Sequence, residues 1–139
     1  MYETLLIRRA TFRARHRYGL PGLDEAANRA RFGDLVHAHA HDFRVEVRVS
    51  GPPEAGTGFT VDLTALDAAL DGVLAPLRDS DLNEALPSVR DGREQPCTEV
   101  IARWIFRSLT PALPEPARLV EVAVFEDEAL GAVVRASAD

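Results

Sequence analysis

The chain has 139 residues, 46% of them hydrophobic, which suffices for one domain with a real core (residues 1–139) and leaves too little for two. A net charge of −6 and a pI near 5.2 argue against a nucleic-acid or anionic-membrane partner, since those require a concentrated basic patch. All 16 positive residues are arginine, which excludes a lysine Schiff base and a P-loop lysine, and the single cysteine, Cys97, excludes an intrachain disulfide or a cysteine-based zinc site.

Residues 2–18 are rich in β-branched, aromatic and arginine side chains with partial alternation and read as a long strand, ended by Gly19-Leu20-Pro21-Gly22. Residues 23–36 mix charge, alanine and glycine and read as a connecting loop, with room for a short helix over 24–31. Between residues 37 and 50 the alternation is clean. His37, His39, His41, Phe43, Val45, Val47 and Val49 fall on one face of an extended chain, and Asp42, Arg44, Glu46 and Arg48 on the other.

After the turn region around Gly51-Pro52-Pro53, the residues Leu63, Leu66, Leu70, Val73 and Leu77 recur at three- and four-residue steps and predict an amphipathic helix. A polar loop with Pro87 and Gly92 follows. Val100, Ile101, Trp104, Ile105 and Leu109 repeat the helical stripe, closed by Pro111 and Pro114. Two alternating apolar runs, 119–125 and 132–136, predict a final hairpin. The order strand, strand, helix, helix, strand, strand implies an α+β layer with the helices on one face of an antiparallel sheet. No apolar run approaches membrane-spanning length, residues 1–9 have too short an apolar core for export, and a cytoplasmic enzyme is expected.

His39-Ala40-His41 places two imidazoles on one strand face about 7 Å apart at the backbone, close enough to converge on one ion. His16 closes the preceding strand and offers a third. Three protein nitrogens with a fourth position left for water or substrate is the usual count for catalytic zinc. His-x-His alone is a weak pattern that hydrogen-bonded strand histidines also produce. Here three of the four histidines share one strand face and the fourth ends the strand before it, which favours a site.

Phe12-Arg13-Ala14-Arg15-His16 resembles a Phe-x-Ala-x-His opening, and the strand from His39 through Val47 resembles His-Gly-His-Asn-Tyr-x-Val. Gly58-Phe59-Thr60-Val61-Asp62-Leu63 is similar to Gly-Met-Val-x-Asp-Phe, the segment 77–83 to Leu-Asp-His-x-x-Leu-Asn, Pro96-Cys97-Thr98-Glu99 to Pro-Thr-x-Glu, and Val124-Phe125-Glu126 to Val-x-Glu. In this order these are the motifs of the 6-pyruvoyl- and 6-carboxytetrahydropterin synthases, and the resemblance spans almost the whole chain. It implies a tunnelling fold (T-fold) assembled through sheet edges into a homo-oligomer, usually a hexamer of two stacked trimers, with sites between subunits. It further implies zinc held by His16, His39 and His41, a small heterocyclic substrate anchored by Glu126, and Thr98 and Glu99 on the substrate-binding side.

The chain departs from that pattern at two places. Where the family carries a catalytic cysteine, residues 33–36 are Gly, Asp, Leu and Val, and Cys97 reads as a packing or capping residue. The Asp-His pair is replaced by Arg78 and Asp79. Asp34, His37 and Asp79 are the candidates for moving protons instead. The expected activity is a zinc-dependent lyase or cyclase on a pterin-like or other nitrogen heterocycle. The alternatives are a ring-closing amine–aldehyde condensation on the same scaffold and a catalytically silent zinc-containing binding subunit.

Overall fold

The computed structural model describes residues 1–137, so Ala138 and Asp139, the end of the expected domain, lie outside the described residues. Two twelve-residue strands, β1 (Leu5–His16) and β2 (His39–Ser50), pair antiparallel along their whole length. The strands β4 (Arg118–Phe125) and β5 (Gly131–Arg135) form the expected hairpin, β4 lies against β2, and the two-residue β3 (Ser80–Asp81) pairs parallel with β1. The sheet order is β3-β1-β2-β4-β5.

One face of this sheet is dry. Phe43, Val45, Val47 and Val49 of β2 are buried at every second position, and Phe12 of β1 stacks on Phe43 with ring centroids 4.9 Å apart. Helices α2 (Leu63–Leu74) and α5 (Thr98–Leu109) cover that face. Helix α2 starts where the Asp62 carboxylate accepts from the amides of Thr64 and Ala65, and it buries Leu66, Leu70, Val73 and Leu74. Helix α5 buries Val100, Ile101, Ile105 and Leu109, each such side chain contributing about 1.5–3 kcal/mol by leaving water.

The opposite face carries charge, and its pairs match the strand register. Arg9 stands opposite Glu46 and donates to it at 3.0 Å, while Arg48 stands opposite Glu121, which also accepts from Arg135 on β5 at 2.6 Å. Opposite charges directly across a ladder favour that alignment over its neighbours.

Two segments differ from the sequence reading. Residues read as a connecting loop contain α1 (Glu25–Phe32), capped by Asp24 and followed by a 3-10 turn, Gly33–Val36. The helix buries no residue, so it carries no apolar stripe to announce it. The polar loop around Pro87 contains β3 and two single turns of helix, α3 (Leu82–Ala85) and α4 (Pro87–Arg90), which bury Leu82 and Val89. Elements this short give no periodicity to read.

Candidate metal centre

Strand parity and register bring the histidines together. His16 stands opposite His39 and Ala14 opposite His41, so all three imidazoles project from the helix-covered face at one end of the sheet. The ring centroids of His16 and His39 are 4.6 Å apart, and His41 lies 5.1 Å from each. One ligand nitrogen from each of the three lies within 4.8 Å of the others.

Main-chain carbonyls orient two of the rings. A carbonyl oxygen only accepts, so His16 Nδ1 donates to Pro96 at 2.7 Å and His39 Nδ1 donates to the carbonyl of His37 at 2.8 Å. Each ring then presents Nε2 with a free lone pair, the arrangement that fixes metal-binding imidazoles. The Nε2 atoms of His16 and His41 are buried and have no hydrogen-bond partner among the described residues. An unsatisfied buried nitrogen costs about 1–3 kcal/mol, and a cation in the shared space would satisfy both, so these residues fit a metal.

His16 is fully buried. Its pKa is lowered to about 4, chiefly by burial and then by the neighbouring His39 and His41, against the raising effect of the Pro96 bond and the charge of Asp81. The imidazole is therefore neutral at pH 7, the form that ligates. Asp81, which the sequence reading passed over, also caps α3 through the amide of Asn83.

Glu126 follows β4 two residues beyond Val124 and extends the same face. Its Oε2 lies 3.3 Å from His41 Nε2 without hydrogen-bond alignment, and its Oε1 is buried and unpaired. Glu126 is outside the set of mutually converging ligand atoms and flanks the three histidines. Thr98 is buried at the start of α5 and donates to Glu99 Oε1 at 3.0 Å. The Glu99 carboxylate is held below its usual range by its own amide and then by the Thr98 and Cys97 side chains. Cys97 is half-buried at the N-terminus of α5, and burial followed by the Glu99 charge pushes its thiol pKa up, which disfavours the nucleophilic thiolate.

In this chain the three candidate proton carriers do not join the histidines. Asp34 is exposed in the 3-10 turn, where its carbonyl accepts from the His37 amide. His37 is exposed, and its Nε2 accepts from Arg29 at 2.9 Å; its backbone carbonyl, not its ring, serves the site. Asp79 is exposed beside β3 with φ 55°, its amide bonded to Arg13.

Tyr18 is a neighbour that the sequence reading missed. It continues the β1 alternation Phe12, Ala14, His16 by one more step, which is the signal that could have found it. Its ring meets the edge of His16 at 5.3 Å and flanks Phe32 at 5.9 Å. Burial, then the charges of Glu126, Cys97 and Glu99, raise its pKa above that of an ordinary phenol. Tyr18 also lines a cleft of about 230 Å³ with Asn28, Arg29 and His37. A larger cleft of about 470 Å³ lies at the far end of β2, around Ser50 and Arg118, away from the histidines.

The sequence model of the 6-pyruvoyl tetrahydropterin synthase family matches residues 5–137. The chain belongs to this family. A 6-pyruvoyl tetrahydrobiopterin synthase from Drosophila melanogaster is 33% identical over 124 residues, covering 87% of this chain and 73% of that protein. A dihydroneopterin monophosphate aldolase from Pyrococcus furiosus is 29% identical over 107 residues, covering 77% and 86%. The structure of 6-pyruvoyl tetrahydropterin synthase from Caenorhabditis elegans superposes with a TM-score of 0.88 at 22% identity, covering 99% of this chain and 98% of that one, and the fold is the α+β tunnelling fold expected from the sequence.

Proposed function

We propose that this chain is a zinc-dependent lyase or cyclase acting on a pterin-like substrate. The observation that carries the reading is the convergence of His16, His39 and His41, with lone pairs aimed into one space, beside an unpaired Glu126 oxygen. The names of the Drosophila and Pyrococcus relatives, one a synthase and one an aldolase of pterins, support the substrate class.

Zinc held by the three imidazoles would polarise a carbonyl or hydroxyl oxygen of a bound substrate. The chain's own groups do the rest. Glu126 accepts N–H groups from the edge of the heterocycle, and its burial beside His41 makes those bonds charge-assisted and weakly screened. The Pro96 and His37 carbonyls hold His16 and His39 in the ligating tautomer. Asp34, His37 and Asp79 are proposed to carry protons, and Thr98 and Glu99 to border the substrate.

The proposal extends to a single domain over residues 1–139, a cytoplasmic location and a homo-oligomer, a hexamer built from two trimers. Among the described residues no helix is long and apolar enough to cross a membrane. The β5 edge beside exposed Leu130 and Val133 supports edge-to-edge pairing. Asp79 adjoins the β3 edge, so pairing there would carry it toward a second subunit's site.

Metal analysis of the wild type and His41→Ala, with turnover of reduced pterins bearing hydroxylated or phosphorylated C6 chains, tests the reading. Zinc and turnover are expected in the wild type and absent together in His41→Ala. Full zinc occupancy in the variant removes the ligand assignment.

A further inference from the structure

We infer that the Tyr18 hydroxyl is a substrate-binding group of this site, donating a hydrogen bond to an oxygen on the side chain of the bound heterocycle. The inference rests on the pterin reading above for the class of ligand and on the following geometry for the residue.

The Tyr18 ring is restrained. Its neighbours are the rings of His16 at 5.3 Å and of Phe32 in α1 at 5.9 Å, and its backbone amide donates to the Leu35 carbonyl at 2.9 Å in the 3-10 turn. A side chain packed against two rings and held at its root by a main-chain bond has restricted freedom, which preorganised binding requires. The hydrogen bonds that build the site are made by His16, His39 and Thr98, and none of them uses the phenol. Tyr18 is half-buried with its ring against His16, and it lines a cleft with His37, whose carbonyl holds His39. A partly desolvated hydroxyl left free by the protein gains most by bonding a guest.

Position decides which part of the guest it meets. Glu126 adjoins His41, whereas Tyr18 adjoins His16, and the two imidazoles are 5.1 Å apart between them. A carboxylate only accepts and so takes the N–H edge of a heterocycle; a phenol can donate and so suits an oxygen. A ligand with N–H groups at one end and a hydroxylated chain at the other therefore spans from Glu126, past the histidines, to Tyr18.

The test compares Tyr18→Phe with the wild type, both zinc-loaded, for binding of neopterin, which bears a hydroxylated C6 chain, and of pterin, which bears none. Neopterin should bind about tenfold more weakly to Tyr18→Phe, the loss of one hydrogen bond, while pterin affinity, zinc content and melting temperature stay as in the wild type. Equal neopterin affinity in the two proteins overturns the assignment and leaves the pterin reading intact. A parallel loss of both ligands together with zinc makes Tyr18 a structural residue and also overturns it. A wild type that binds neither ligand overturns the pterin reading, and this inference with it.

Discussion

His16 Nδ1 donates to the carbonyl oxygen of Pro96 at 2.7 Å, so the innermost imidazole of the site is tied to the loop that starts α5 and not only to its own strand. The bond joins the sheet to the helical layer at the point where the candidate ligands converge.

His16→Ala should therefore cost more than a ligand. In metal-free protein it removes a fully buried ring and strands the Pro96 carbonyl, a loss of about 2–4 kcal/mol, whereas His39→Ala, at a partly exposed position, should stay within about 1 kcal/mol. Urea denaturation of both apo variants measures the difference. Equal destabilisation would show that the Pro96 bond adds nothing to the fold.

Glu126→Gln separates anchoring from ligation. Metal content should be unchanged and pterin binding weakened about 10- to 100-fold, because the variant loses a charged acceptor and keeps the shape. Loss of metal in this variant would place the carboxylate among the ligands.

Much of this site could be read before any fold was known. Alternation from His39 to Val49 gave the face of β2, the end of the preceding strand offered His16, and the family motif supplied Glu126. The rest depends on placement that a sequence does not carry. His37 shares the alternation of His39 and His41, yet the chain leaves the 3-10 turn there, the strand begins only at His39, and the ring turns to Arg29. Helix α1 reads from sequence only as an option over 24–31 inside a connecting loop because nothing on it is buried, although Asp24 and the first-turn Glu25 are a start signal.

Asp79→Asn tests the acid beside the β3 edge with little risk to the fold, since asparagine also tolerates the left-handed backbone at φ 55°. Turnover should fall about 10²- to 10⁴-fold with zinc retained if the carboxylate moves a proton. Steady-state rates equal to wild type would remove Asp79 from the chemistry.

Cys97 should behave as a quiet thiol. Its raised pKa means less thiolate at any given pH than an unperturbed cysteine, so its iodoacetamide alkylation should rise only at higher pH, and Cys97→Ser should retain turnover. Rapid alkylation at pH 7 accompanied by loss of activity would contradict both expectations.

The ladder of opposite charges on the solvent-side face, Arg9 with Glu46 and Arg48 with Glu121, does more than join neighbours. A slip of one residue between β1 and β2 would turn His16 away from His39 while leaving most main-chain bonds remade. Any ion that recognises only the matched arrangement lends its whole affinity to that arrangement, so a cofactor added during refolding acts as a proofreader of strand alignment.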